Sequence, residues 1–124
     1  MRQSCKFSFP KSQRLLKRSE FLKLSIEGSK IRNRHFIAVF RLCHHERKNG
    51  IRIGITASKK VGNAVTRNRI KRYIREFIRQ YKHKREIPCD VNIIVLYETK
   101  CLSLDQIQLS LHDIFERIKR RIND

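Results

Sequence analysis

Acidic residues are scarce in this chain: eleven Asp and Glu stand against thirty Lys and Arg in 124 residues, a formal net charge of +19. The few acids are also scattered along the sequence. A protein nuclease would need clustered carboxylates to hold metal ions, or a histidine acid and base pair, because phosphodiester cleavage must stabilise an attacking and a leaving oxygen. Neither arrangement is legible. His44-His45-Glu46 has ligand-type residues, but neighbours in a strand or turn point in different directions, and the tip of a hairpin is an ordinary place for polar side chains. His112-Asp113 would lie about 100° apart on a helix, which reads as a solvated face. No metal site is expected in the protein.

Long apolar runs are missing too. Nothing approaches the roughly twenty consecutive apolar residues of a membrane span, and the start, Met-Arg-Gln-Ser-Cys-Lys, has no apolar middle of a secretory signal, so a cytoplasmic location is expected. The four cysteines, Cys5, Cys43, Cys89 and Cys101, stand 38, 46 and 12 residues apart. That spacing fits neither a C-x-x-C zinc pattern nor a disulfide framework, so reduced, incidental thiols are expected. Repeats, low-complexity segments and linkers are absent as well. A chain of this length, 40% hydrophobic and 33% charged, suits one globular domain over residues 1–124, with about the first ten expected to be flexible.

What the chain has in abundance is cationic charge in one place. Residues 59–85 hold eleven Lys or Arg and one acid, Glu76. Self-repulsion opposes such an imbalance unless a polyanion supplies the counter-charge, and RNA is the polyanion that fits best. Ile70, Tyr73, Ile74, Phe77, Ile78 and Tyr81 recur at spacings of three and four, which predicts one apolar stripe of a helix. At about 100° per residue, Asn68, Lys71, Arg72, Arg75 and Arg79 fall on the opposite side, flanked by Arg67 and Arg69. Asn63 is the expected N-cap, and Gly62 before it allows a sharp turn and a close approach to phosphate.

The rest of the chain reads as alternating short elements. A helix over residues 19–27 is expected, with Ser19 as N-cap and Phe21, Leu22, Leu24 and Ile26 on a broad apolar surface. Two β-rich runs follow, 35–43 and 51–57, and the Asn49-Gly50 turn signal between them predicts that they pair as a hairpin. In the second run Ile51, Ile53, Ile55 and Ala57 share one face, while Arg52, Gly54 and Thr56 share the other, which is left open to a ligand. A further strand over 91–97 is apolar nearly throughout, as suits a strand covered on both faces, and completes a βαβ unit with the basic helix. The last helix should start at Ser103, where Ser103 and Gln106 form a capping box ahead of Leu104, Ile107, Leu111, Ile114, Phe115 and Ile118. Charge and element order alone leave a ribosomal-type structural protein as an alternative to a processing factor.

The stretch Lys59-Lys60-Val61-Gly62-Asn63-Ala64-Val65, continued by Arg67-Asn68-Arg69-Ile70-Lys71-Arg72 and Arg75, resembles the signature of the bacterial ribonuclease P protein subunit. The likeness extends to Arg14-Leu15-Leu16-Lys17 with Phe21, to Asn33-Arg34 with Phe36, and to Ile53-Gly54-Ile55. It implies an α/β (α+β) sandwich in the order α-β-β-β-α-β-α, with a small mixed sheet of about four strands, three helices and a left-handed βαβ crossover. It further implies a noncatalytic, RNA-binding subunit of an endoribonuclease that removes 5′ leaders from precursor tRNA. On this likeness the RNA subunit is the catalyst, Mg²⁺ is bound mainly by that RNA and the substrate, and the protein needs no protein partner. The residues implied to meet the catalytic RNA are Lys60, Asn63, Arg67, Asn68, Arg69, Lys71, Arg72 and Arg75. Those implied to hold the precursor tRNA leader are Arg14, Lys17, Phe21, Phe36, Lys59 and Lys100, an aromatic floor with a cationic rim. Ser25 and Val39 stand where the family commonly has further aromatics, which makes Phe40 a substitute candidate.

Overall fold

Alternating side-chain direction along each strand gives the sheet two apolar faces, and helices cover both. A computed structural model of the chain describes residues 14–15, 17–42, 50–83, 86–97, 99 and 102–123. The elements run α1 (Arg18–Glu27), β1 (Ser29–Arg32), β2 (Phe36–Leu42), β3 (Arg52–Thr56), α2 (Ala64–Gln80), β4 (Cys89–Val95) and α3 (Leu104–Asn123). This is the expected mixed α/β architecture, with three helices and one four-stranded sheet. The sequence-based expectations for residues 1–10, Leu16, Cys5, Cys43, His44-His45-Glu46, Asn49, Lys100 and Cys101 lie outside the described residues.

The sheet order is β1-β2-β4-β3, with β4 antiparallel to β2 and parallel to β3. The expected hairpin between residues 35–43 and 51–57 therefore does not form, because β4 lies between those two strands. Burial explains the choice. Val91, Ile93 and Val95 are buried on one face of β4 and Ile94 is half-buried on the other, so this strand belongs in the interior of the sheet. The local hairpin joins β1 to β2 instead, with Ser29 opposite Phe40 and Arg32 opposite Ile37. Asn33 closes it by accepting from the amides of His35 and Phe36, each at 3.0 Å. Its amide group then reaches Ser110 on α3, donating to the backbone carbonyl and to Oγ at 3.0 Å. The β3-α2-β4 unit forms as expected, with Ile53 beside Val91 and Gly54 beside Asn92.

Phe36, Ala38 and Phe40 of β2, Ile53 of β3 and Val91, Ile93 and Val95 of β4 face α2 and α3. There they meet Ile70, Ile74, Phe77 and Ile78 of α2 and Ile107, Leu111, Ile114, Phe115 and Ile118 of α3. Each such fully buried side chain contributes roughly 1.5–3 kcal/mol. The opposite sheet face carries a smaller cluster, in which Leu15, Leu24 and Val39 are buried and Phe21, Ile37 and Ile94 are partly so. Helix α1 lies over that face.

Helix ends follow their caps. Asn63 accepts from the Thr66 amide at 2.9 Å, as expected of the α2 N-cap. Ser103 and Gln106 exchange side chain to backbone bonds of 2.9 and 3.3 Å at the start of α3. For α1 the N-cap is Lys17, not Ser19, because the Glu20 carboxylate reaches back to the Lys17 amide at 3.1 Å and draws the first turn earlier. Of the apolar α1 surface only Leu24 is buried, whereas Leu22 is 52% and Ile26 82% exposed. Among the described residues, no helix is long and apolar enough to cross a membrane.

Candidate nucleic-acid interface

Two surfaces bring the expected residues together. The first is the outer face of α2 and the turn that leads into it. Lys59 and Lys60 are exposed in a turn closed by bonds from Val61 to Ser58 (3.1 Å) and from Gly62 to Lys59 (3.3 Å). Gly62 has φ 157°, and a Cβ there would stand 3.0 Å from Thr66 Cγ2, so the tight entry into α2 selects glycine. Asn68, Arg72 and Arg75 are exposed, and Arg67, Arg69 and Lys71 are half-buried beside them. Glu76, the one acid of α2, is bound to Arg79 and does not neutralise the others. Arg67, Lys71, Arg72 and Arg75 have no acidic partner among the described residues. The Nε of Arg67 is buried without a hydrogen-bond partner, a donor that costs about 1–3 kcal/mol to leave unmet.

The second surface is the sheet face beneath α1, and register lays it out in three rows. The first is Arg41, Asp90 and Arg52; the second is Lys30, Val39, Asn92 and Gly54; the third is Arg32, Ile37, Ile94 and Thr56. Helix α1 is tied across the first row by ion pairs from Glu27 to Arg41 and from Glu20 to Arg52. Arg52 also donates through Nε to Asp90 at 3.1 Å. Burial opposes the Arg52 charge, but the hydrogen bonds and charges of Asp90 and Glu20 outweigh it and hold the guanidinium protonated. Over the second row, Phe21 lies on bare backbone: a Cβ on Gly54 would stand 2.4 Å from its ring. The third row lies beyond these α1 contacts, with Ile37 and Ile94 half-buried and Thr56 and Arg32 exposed. The Thr56 hydroxyl donates to Asn92 Oδ1 at 3.0 Å. An apolar floor with one half-buried aromatic wall results.

Of the residues implied to line this groove, Lys17 is exposed at the α1 N-cap, and half-buried Arg14 pairs with Ile53 along the β3 edge. Phe21 forms the wall. Phe36 does not belong to it: it is fully buried and faces α2 and α3, because even and odd positions of β2 point to opposite faces. Phe40 shares that face and cannot substitute. Lys100 lies outside the described residues. Thr56 lies on the face of β3 that alternation left open to a ligand; missed in the sequence were Ile37, Asn92 and Ile94, although Asn92, polar between Val91 and Ile93, was a visible signal.

The ribonuclease P family pattern matches residues 9–119. The ribonuclease P protein component of Geobacter sp. (strain M21) is 42% identical over 114 residues, covering 92% of this chain and 95% of that protein. That of Desulfatibacillum aliphaticivorans is 41% identical, covering 90% and 92%. Among solved structures, the Staphylococcus aureus ribonuclease P protein superposes with a TM-score of 0.76 at 34% identity, covering 88% of this chain and 97% of that one. The Thermotoga maritima ribonuclease P protein gives 0.72 at 28% identity, covering 86% and 96%.

Proposed function

The chain belongs to the ribonuclease P protein family, and from that premise we propose that it binds the catalytic RNA through α2 and the 5′ leader of precursor tRNA through the groove beneath α1. It is a component of ribonuclease P, the endoribonuclease of tRNA 5′ maturation. The observation that carries the division of labour is the α2 face, whose Arg67, Lys71, Arg72 and Arg75 lack acidic partners among the described residues. Side chains of this helix that meet no acid among the described residues gain most from RNA phosphates, and Arg67 offers a buried guanidinium donor that a phosphate oxygen would satisfy.

In this reading the protein binds and orients and does not break the bond. Its carboxylates favour that role: Glu20 and Asp90 are engaged by Arg52, Glu27 by Arg41, Glu76 by Arg79 and Asp113 by Arg117. Mg²⁺ then rests on phosphates of the RNA subunit and the substrate, and the protein lowers the Mg²⁺ requirement by supplying fixed positive charge. Positioning the leader in the groove lowers the energy of the docked precursor without contact to the scissile phosphate. The test adds purified protein to ribonuclease P RNA and precursor tRNA at low Mg²⁺. Stimulated cleavage with RNA, and none from the protein alone, is the expected result. Turnover by RNA-free protein would overturn it.

A further inference from the structure

A second cationic cluster, remote from the signature helix, lies where the C-terminal turns of α3 meet the sheet edge. A cleft of about 460 Å³ there is lined by Lys30, Ile31, Arg32, Arg117, Arg120 and Arg121. All five cations are exposed. Arg117 fixes the junction by donating to the Arg32 carbonyl at 2.9 Å, a group the edge strand β1 would otherwise leave unpaired, and by pairing with Asp113 at 3.5 Å. Lys30, Arg32, Arg120 and Arg121 have no acidic partner among the described residues. Cations in the last turn of a helix suit its dipole, which accounts for Arg120 and Arg121. It does not account for Lys30 and Arg32, which come from a strand and converge on the same cleft.

Register supplies the connection. Arg32 ends the row Arg32, Ile37, Ile94, Thr56 that floors the open part of the groove, and Lys30 ends the row of Val39, Asn92 and Gly54. The other end of the groove, at Thr56, runs into the turn of Lys59 and Lys60 and so into α2. A strand entering from the α2 side therefore crosses three inter-strand gaps, about 14 Å, and leaves over β1 into this cleft. We propose that Lys30, Arg32, Arg120 and Arg121 form a distal leader site, which holds the phosphates of single-stranded RNA 5′ to the segment lying in the groove.

This inference rests on the leader reading of the groove, and its test separates the two. Binding of the protein–RNA holoenzyme is measured with mature tRNA, with a precursor whose leader ends inside the groove, and with one whose leader runs past β1. The variant combines Lys30→Ala, Arg32→Ala and Arg120→Ala; charge reversal by Arg120→Glu alone is the second variant, at a single exposed position. The wild type should bind the long-leader precursor more tightly than the short one. The triple variant should lose about tenfold for the long leader only, with a log affinity against log salt plot flatter by about 0.7 per lost phosphate contact. Arg120→Glu should weaken the long leader in the same selective way. Equal losses for short and long leaders, or none, would overturn the distal site while leaving the groove intact. A loss of assembly with the RNA subunit would assign the cleft to that RNA instead and likewise overturn the proposal. Failure of the wild type to distinguish the short-leader precursor from mature tRNA would overturn the leader reading itself.

Discussion

Gly54→Ala is the sharpest probe of the groove, because its effect is set by one contact. A Cβ at this position would stand 2.4 and 2.5 Å from Cε1 and Cζ of Phe21, and 3.2 Å from Cδ1 of Leu15. Ordinary carbon contacts lie near 3.5 Å, so the Phe21 ring must retreat by about 1 Å. Such overpacking costs about 1–3 kcal/mol of stability. Phe21→Ala alone should cost about 2 kcal/mol, less than the roughly 3–5 of a fully buried phenylalanine, because Phe21 is only half-buried. Once Phe21 is removed, only Leu15 crowds the new methyl, and Gly54→Ala should then cost about 0.5 kcal/mol or less. The double-mutant cycle therefore predicts a coupling of about 0.5–3 kcal/mol, read from urea unfolding of the four proteins. In binding, the lifted ring no longer stacks in place, and affinity for precursor tRNA should fall by about 1–3 kcal/mol while mature tRNA is unaffected. Strictly additive stabilities would refute the placement of Phe21 over Gly54. Coupled stabilities with unchanged precursor binding would keep the packing and remove Phe21 from the leader site.

Replacing Arg72 and Arg75 by Ala should weaken assembly with the RNA subunit and flatten its salt dependence by about 0.7–0.9 per lost contact, with the melting temperature unchanged since both are exposed. A lower melting temperature with an unchanged salt slope would make them structural. Phe36→Ala, in contrast to Phe21→Ala, should cost about 3–5 kcal/mol of stability with no selective loss of precursor over mature tRNA. Differential binding measured on the folded fraction decides it. Tyr81→Phe should remove the 2.9 Å bond to Glu116 and cost about 1 kcal/mol at neutral pH. Burial, and then Glu116, push the Tyr81 hydroxyl up, so it remains a donor, and that bond is the main cause holding the Glu116 carboxyl below its usual range. A lowered carboxyl stabilises the fold above its unfolded-state value and stops doing so as pH falls through the folded one. The deficit of Tyr81→Phe should therefore shrink in acid, and a pH-independent deficit in thermal melts would refute the linkage.

Helix α2 was legible because its information is local. Spacings of three and four set the stripe of Ile70, Ile74, Phe77 and Ile78, a single asparagine caps the first turn, and the remaining positions carry the charge regardless of what the helix packs on. The Ser103 and Gln106 box is legible for the same reason. Strand alternation likewise separated Ile53 from Arg52, Gly54 and Thr56. What spacing could not supply was the neighbour of each strand. Asn49-Gly50 is a turn signal between residues close in sequence, and Gly50 does adopt φ 69°, yet pairing went to β4, some forty residues on. That choice depends on burying both faces of Val91 to Val95, a gain that exists only when helices from distant parts of the chain cover them. The same limit misplaced Phe36. Alternation says that neighbouring residues of β2 face opposite ways, but the symmetry of a two-residue period does not say which face meets α1 and which meets α3. The cationic helix, its cap and the family signature follow from the amino-acid sequence alone, since these depend on residues within a few turns of one another. Packing between distant elements was needed to set Phe21 on Gly54, to bring Asn92 and Ile94 beside Gly54 and Thr56, and to gather Lys30 and Arg32 with Arg120 and Arg121. Those contacts join elements far apart in sequence, and their energy comes from burial and register that no local pattern encodes.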